Sequence, residues 1–434
     1  MPRSALILAT LVALGCVSTD PTATDDTDAD VAIVPPGERV ASSRARESSP
    51  AATSADIEAL TEGNRAFAVD LYHELATPSE NLFFSPHSVS VALAMTWAGA
   101  GGVTETEMAD TLRTTLPEET THAAFNALDL ALDSRAALPE DAEGDGFELS
   151  IVNQTFGQSG FAFEAPFLDV LASQYDAAMH LLDFSSDPEG SRVAINEWVE
   201  SVTNTRIVDL LPAGSISAAT RLVLTNAIYF KASWSVPFAS SATTDDPFTL
   251  LDGTAVTVPT MHGQLDSICA SGAGWTAASL PYVGEQLDMV LIVPDAGTFS
   301  AFEASFEGST LDAVLGGMDR CALTLAMPRL NLRTEADLVP ALGALGMPSA
   351  FDPVTSDFSG MSSTADLTVT GVFHQAFVAI DEEGTEAAAA TAVVIDEDSV
   401  PEPVTLTVDR PFLFVVRDRP TGAVLFLGRV VSAW

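Results

Sequence analysis

The stretch DEEGTEAAAATAVVIDEDS, Asp381 to Ser399, pulls in three directions at once. Ala387 to Ala390 have high helix propensity, but Thr391 to Ile395 are mostly β-branched and stiff at χ1, which disfavours continuing a helix. As a strand it patterns cleanly. Thr385, Ala387, Ala389, Thr391, Val393 and Ile395 share one face and carry no charge, while Glu386 and Asp396 fall on the other. That is period-two patterning suited to a sheet covered on one side. Asp396, Glu397 and Asp398, followed by SVPEP, read instead as a solvated tip. The segment is fit to be a central strand and also ends as an exposed loop.

The whole chain supports a large folded body. Its 434 residues are 47% hydrophobic, ample for a substantial core. Lys and Arg total 18 against 60 Asp and Glu, a formal net charge of −42, so a phosphate backbone would be repelled and nucleic acid is excluded as a partner. The N-terminus reads as an export signal: Arg3, then an apolar run from Ala5 to Leu14, too short to span a bilayer permanently. It closes on Gly15-Cys16, similar to a bacterial lipoprotein signal in which the cysteine is lipidated, although Ala13 stands where leucine is usual. The expected layout is a signal over 1–16 with lipid on Cys16, a disordered Thr/Asp/Pro/Ser-rich linker over 17–53, and one folded domain over 54–434. The expected location is extracytoplasmic, lipid-anchored at a bacterial cell surface or periplasm, or secreted, with membrane contact through the anchor alone. Cys269 and Cys321 are too few for a disulfide framework; they either pair or stay as thiols.

Along the domain, Phe67, Leu71 and Leu75 recur at helical spacing, and SVSVALAMTWAGA (88–100) is apolar nearly all round, a buried helix. Residues 108–138 continue helical with a break at Pro117. Strand character then dominates: RLVLTNAIYF (221–230), QLDMVLIVPD (286–295), CALTLAMPRLNL (321–332), and two C-terminal strands joined by a turn at Arg419–Gly422. Helices early and strands late favour an α+β fold. The motifs of nucleophile elbows, zinc proteases and phosphate-binding loops are absent, and the six histidines show no metal-ligand spacing. Neither enzyme nor cofactor chemistry is indicated.

At this point EEGTEAAAATAVVI (382–395) resembles the hinge and reactive-centre loop of inhibitory serpins. Three further stretches resemble the family in the right order: NLFFSPHSVSVALAMTWAGAGGVTETEM (81–108), INEWVESVTNTRIVDLLPAGSISAATRLVLTNAIYFKASWSVPF (195–238) and LTVDRPFLFVV (406–416). The resemblance implies a serpin fold, with three β-sheets, eight or nine helices and an exposed loop. It implies a suicide inhibitor whose loop, once attacked by a serine or caspase-like cysteine endopeptidase, inserts as a new central strand and traps the acyl-enzyme. The alternative is a non-inhibitory serpin acting as a cell-surface binding protein.

Family positions carry over one at a time. The hinge is Glu382, Glu383, Gly384, Thr385, Glu386, Ala387, Ala388, Ala389, Ala390 and Thr391, with Gly384 as pivot. Ser85, Ser88, Asn226 and His374 match the polar shutter beneath the opening strands, where His374 is equally readable as a satisfied core histidine. Trp234 matches the tryptophan where insertion begins, or packs as plain core. Glu382 and Arg329 match a pair tethering the loop base. Spacing from Gly384 places the reactive bond at Asp398–Ser399, with cleavage after Glu397 as competitor. An aspartate before the cut implies a target whose primary pocket is cationic or hydrogen-bonding. The early helices lack a basic patch, so a heparin-like cofactor is not expected, and the protein reads as a monomer.

Overall fold

The computed structural model describes residues 34–136, 148–364, 366–385 and 402–434. Most of what was quoted at the outset, residues 386–399, therefore lies outside the described residues, as do Cys16 and the signal. The folded body runs from Pro35 to Trp434.

The elements follow in chain order β1 (Glu38–Val40), α1 (Ser54–Leu75), β2 (Leu82–Phe84), α2 (Pro86–Trp97), α3 (Gly102–Thr111) and α4 (Glu118–Asp133). Next come β3 (Glu148–Gln158), α5 (Ala165–Tyr175), β4 (Met179–Leu182), α6 (Pro188–Val202) and β5 (Leu222–Ser233). The middle of the chain supplies β6 (Thr244–Thr249), β7 (Ala255–Gly272), β8 (Trp275–Pro281), β9 (Leu287–Pro294), α7 (Phe299–Ala304) and α8 (Gly308–Gly316). The last part holds β10 (Asp319–Pro328), β11 (Leu330–Asp337), α9 (Val339–Leu345), β12 (Val369–Ile380), β13 (Gly384–Thr385), β14 (Glu402–Thr407), β15 (Phe412–Asp418) and β16 (Val424–Val430).

Local chemistry accounts for the helices that frame the site. The Thr53 hydroxyl accepts from the Asp56 N–H while Asp56 accepts from the Thr53 N–H, a reciprocal cap that starts α1. Ser85 caps α2 by accepting from the Ser88 N–H, with Pro86 in the first turn where its missing N–H costs nothing. α2 is buried nearly all round, as its composition requires. Pro117 separates α3 from α4 at the expected break. α6 is capped by Asp187 through the Gly190 N–H.

Two sheets organise the body. The first has seven strands in the order β1-β4-β3-β5-β13-β12-β11. The second runs β14-β10-β7-β8-β9-β15-β16-β2, with β6 on the side of β7. Where the resemblance implied three sheets, strand pairing gives two among the described residues, because the eighteen-residue β7 pairs with β6, β10 and β8 along its length and joins them into one sheet. Nine α-helices occur among the described residues. The inward faces of the two sheets and the helices α1 and α2 share the main apolar core, while the other face of the first sheet is covered by α6 and the segment after it.

Two details depart from or complete the sequence reading. Of the residues 17–53 expected to form a disordered linker, Pro35 onward belongs to the folded body, and 17–33 lie outside the described residues. Glu38–Val40 add an edge strand to β4, Arg44 pairs with Asp169 at 2.9 Å, and Arg46 pairs with Asp129 at 2.5 Å and donates to Asn126 at 2.9 Å. Composition alone misjudged this stretch because the acids that satisfy its arginines sit on α4 and α5, far away in sequence. Cys269 and Cys321 are joined in a disulfide between β7 and β10.

Candidate functional site

β5 and β12 are parallel neighbours from Leu222–Val369 up to Tyr229–Phe377, and there their direct pairing stops. Above that point β13 sits between them. Thr385 pairs with Ala232 of β5 on one side and Ile380 of β12 on the other, and Gly384 pairs with Ser233. β12 thus ends in a tight reversal, Asp381 to Glu383, that feeds the chain back into the seam. Gly384 has φ +151°, and a Cβ there would stand 2.2 Å from the Ala232 carbonyl oxygen. Only glycine fits at this position.

The residues around this entry point are held closely. Asp381 Oδ1 accepts from the Glu383 N–H at 2.9 Å, an Asx-type turn that shapes the reversal. Trp234 donates from Nε1 to the Asp381 carbonyl at 3.0 Å, and its ring stacks on Tyr282 with centroids 4.6 Å apart. The Tyr282 hydroxyl hydrogen-bonds Thr385 Oγ1 at 3.0 Å, both groups fully buried. Burial pushes that phenol far above its ordinary pKa, so it remains a neutral hydrogen-bonding group. Trp234 is therefore core packing and hinge contact together.

Glu382 and Arg329 meet as expected, but the pair is not an exposed one on both sides. Arg329 is half exposed, whereas the Glu382 carboxylate is buried and accepts from Arg329 at 2.6 Å and from the Thr243 hydroxyl. Burial alone would raise the Glu382 carboxyl; the hydrogen bonds from Arg329 and Thr243 more than offset it and hold its pKa below the ordinary value. The Glu382 backbone carbonyl also receives the Phe238 N–H at 2.8 Å. The loop base is fixed at several points.

The shutter lies one layer deeper, on the inward face of the same seam. Asn226 of β5 donates from Nδ2 to Ser88 Oγ at 2.6 Å and to Asn153 Oδ1 at 2.5 Å. Ser88 Oγ donates to Asn153 Oδ1 at 3.0 Å, and Asn153 Nδ2 donates to the Ser88 carbonyl at 3.1 Å. His374 of β12 hydrogen-bonds Asn226 Oδ1 through Nδ1. Since that oxygen can only accept, the Nδ1 proton is present, leaving Nε2 to accept from the Ser85 N–H at 3.4 Å. Ser85 Oγ is turned away, to the Leu425 carbonyl at 2.7 Å. Burial drives the His374 pKa down to about 3, so the ring is neutral. His374–Asn226 is the one side-chain hydrogen bond of this network that crosses the β5–β12 seam.

The structure thus assembles Glu382, Glu383, Gly384, Thr385, Trp234 and Arg329 at the entry and Ser85, Ser88, Asn226 and His374 at the shutter. Glu386 to Thr391, Glu397, Asp398 and Ser399 lie outside the described residues. Sequence reasoning missed Asn153, Tyr282 and Thr243. A buried-parity asparagine in β3 is a faint signal for the first; nothing in LPYV or ATTD marks the other two. No group of three His, Cys, Asp or Glu side chains suited to a metal occurs among the described residues.

Comparison with known proteins agrees with this geometry. A family model described as "Serpin (serine protease inhibitor)" matches residues 62–433. A serpin-like protein of Thermococcus kodakarensis is 36% identical over 370 residues, 85% of this chain and 84% of the relative. The leukocyte elastase inhibitor of Homo sapiens is 33% identical over 392 residues, 87% of this chain and all of the relative. Among solved structures, native tengpin, a thermophilic serpin, superposes with a TM-score of 0.78 at 25% identity, covering 90% of this chain and 97% of that one. Uncleaved ovalbumin gives 0.75 at 25% identity, covering 86% of this chain and 100% of that one.

Proposed function

The chain belongs to the serpin family, and we propose that it is an inhibitory member that traps an acid-specific endopeptidase. The observation that carries this reading is the hinge already seated between β5 and β12, with a small, uncharged residue on its buried face. Continuing the same register places Ala387 between Phe230 and Val378, Ala389 between Ile228 and Ala376, and Thr391 between Asn226 and His374. Phe230, Ile228, Ala376 and Val378 are all buried, so each incoming side chain on that face must be small or apolar. The sequence meets this at every step. Thr391 arrives where the His374–Asn226 hydrogen bond is broken and brings a hydroxyl that can donate and accept in its place.

The chemistry belongs to the protease. Its nucleophile adds to the Asp398 carbonyl, the bond to the Ser399 nitrogen breaks, and the departing amine takes up the proton released from the nucleophile. The chain up to Asp398 is then free to enter the seam while still esterified, or thioesterified, to the enzyme. Strand insertion over thirteen residues at about 3.3 Å each would carry the attached protease roughly 40 Å. An aspartate before the cut suits a pocket with cationic or paired hydrogen-bond donors. The elastase inhibition in the name of the human relative belongs to that protein; the acidic residues Asp396, Glu397 and Asp398 argue for a different target here.

The experiment is incubation of the purified chain with a Glu/Asp-specific serine protease and with a caspase-like protease. A covalent complex stable in SDS, with mass spectrometry placing the new terminus at Ser399, is the expected result. Simple cleavage without a complex would assign the protein to the non-inhibitory, surface-binding alternative. We also propose attachment to a membrane through lipid on Cys16, tested by loss of the lipid mass after Cys16→Ser.

A further inference from the structure

The outer face of the β5–β12 seam carries a contact that the shutter does not account for. His374 and Ala376 of β12 face inward, so Phe373, Gln375 and Phe377 face the other way. Phe377 is the last β12 residue paired directly with β5, opposite Tyr229, and on its other side it is in register with Arg333 of β11. The Arg206 guanidinium lies 5.9 Å from the centre of its partly buried ring, and that of Arg333 lies 5.8 Å away. Arg333 Nη2 also donates to the Arg206 carbonyl at 2.8 Å. Two of the 18 basic residues of a strongly acidic chain thus meet on one aromatic ring.

Arg206 belongs to neither strand. It is in the segment that follows α6 and crosses the sheet. That segment is tied to the helix: the Leu211 N–H donates to Asn196 Oδ1 at 2.8 Å, and the Leu211 carbonyl accepts from Arg192 Nη1 at 2.9 Å and Asn196 Nδ2 at 3.0 Å. Its Ile207, Leu210 and Leu211 share a buried cluster with Phe156 of β3, Val223 and Ala227 of β5 and Phe373 of β12. The crossing segment therefore spans the seam, and Arg206 is its polar hold on the β11–β12 side. The backbone there is strained. Asn204, Thr205 and Asp209 have φ of +49°, +61° and +53°. Asparagine and aspartate tolerate the left-handed region, but a β-branched threonine in it is an outlier that persists only where its surroundings over-determine it.

We infer that Arg206, Arg333 and Phe377 form a clasp that holds the crossing segment over the closed seam, and that the strain at Thr205 opposes it. The balance of the two sets how readily β12 parts from β5. The role in trapping a protease rests on the insertion reading proposed above, whereas the clasp itself is complete in the uncut molecule. Arg333 and Phe377 move with β11 and β12, and Arg206 moves with α6. Parting β12 from β5 must therefore draw the Arg206 guanidinium off the ring or lift the crossing segment with its backbone bond to Arg333. His374–Asn226 closes the seam on the inward face and this clasp closes it on the outward one. The three residues are positioning residues, acting through the strands they hold. Their neighbour Thr205 makes release favourable once the hold is broken, because its strained conformation then has nothing to maintain it.

The test is native-state hydrogen exchange of the full, uncut chain, read over residues 222–233 and 369–380. Arg206→Ala and Phe377→Leu should each speed exchange there by about fivefold, and the double variant should be little faster than either alone. Arg206→Lys keeps a cation on the ring and should restore most of the protection. Thr205→Asn relieves the strain and should slow exchange by about threefold. Unchanged exchange in these variants would overturn the clasp. So would a rise spread evenly over β9 and β15 as well, which would make the contact a general structural one. A second measurement titrates a Glu/Asp-specific protease: the number of inhibitor molecules consumed per enzyme should rise in Thr205→Asn and not in Arg206→Ala, with the cleavage rate the same in both. The two readings fail separately. Faster seam exchange in Arg206→Ala, with no covalent complex formed by the natural chain, would sink the inhibitor reading alone; a covalent complex with seam exchange unmoved would sink only the clasp.

Discussion

Ala387→Arg is the sharpest perturbation of the proposed mechanism. In the continued register residue 387 lands between Phe230 and Val378, each about 1% exposed, on the inward face where Thr385 is already fully buried. Neither register neighbour is an acid, and the Tyr282 hydroxyl two residues back along the segment is already bonded to Thr385. Burying an unpaired guanidinium there costs at least about 3 kcal/mol even after relaxation. If half of that is felt as insertion passes residue 387, the step slows by about tenfold; if all of it, by more than a hundredfold. Insertion competes with hydrolysis of the acyl-enzyme, so either value moves the outcome from trapped enzyme toward cleaved loop. The assay is titration of protease activity against inhibitor, with SDS gels to separate complex from cleaved product. The number of inhibitor molecules consumed per enzyme should rise by about tenfold or more, while the rate of cleavage itself stays unchanged. Ala387→Ser, of similar size and uncharged, should behave almost as the natural chain. An unaltered yield of complex from Ala387→Arg would refute insertion along this register.

Other consequences are measurable on the protein alone. Burial lowers the pKa values of His374 and His87 to about 3 and about 4, so the folded state holds fewer protons than the unfolded chain below pH 6.5; their contribution is intact above that pH and is lost toward pH 4, at about 1.4 kcal/mol per unit for each ring. Thermal midpoints should therefore fall between pH 6.5 and 5, and the fall should be shallower in His374→Gln. Replacing both Cys269 and Cys321 by serine opens a bridge spanning 52 residues and should lower stability by up to about 4 kcal/mol, read from urea midpoints of natural and variant chains. Arg46→Ala removes bonds to Asn126 and Asp129 and should cost about 1 kcal/mol, visible as earlier hydrogen exchange over residues 35–53.

How much of this was readable beforehand depends on the range of the interaction. The helices α1 and α2 and the strands β5, β9, β15 and β16 follow from local periodicity, because each buries a continuous face that its own residues announce. The strap over residues 35–53 was not readable, since its stability comes from Asp129 and Asp169, more than eighty residues away. The shutter was legible in four of its five members through family resemblance, yet Asn153 became visible only when β3 was laid beside β5. Tyr282 is a similar case: a tyrosine in a turn-bounded strand end has no distinguishing pattern until Trp234 stacks on it and Thr385 reaches its hydroxyl. The disulfide was an open alternative because two cysteines in a long chain constrain nothing until β7 and β10 are neighbours.

The polar character of the shutter has a physical purpose that simple stability does not explain. Ser88, Asn226 and His374 are fully buried, with Asn153 partly buried beside them, where apolar side chains of the same volume would hold the sheet together at least as well. An apolar seam, however, would close with contacts that any small apolar strand could replace at any register. Here a directional bond from His374 to Asn226 adds to the backbone ladder across the seam, and leaving either group unsatisfied costs about 1–3 kcal/mol. The seam should therefore open readily only for a strand that presents a hydroxyl at that depth, and Thr391 is the residue whose register reaches it. Thr391→Val keeps the shape, removes the hydroxyl and strands two buried polar groups. It should slow insertion by about tenfold while leaving the uncut fold as stable as before, whereas Ala389→Val, which adds bulk without touching a polar partner, should act on packing alone. If Thr391→Val traps protease as efficiently as the natural chain, the shutter is only a core contact and the closing bond has no part in selecting the inserting strand.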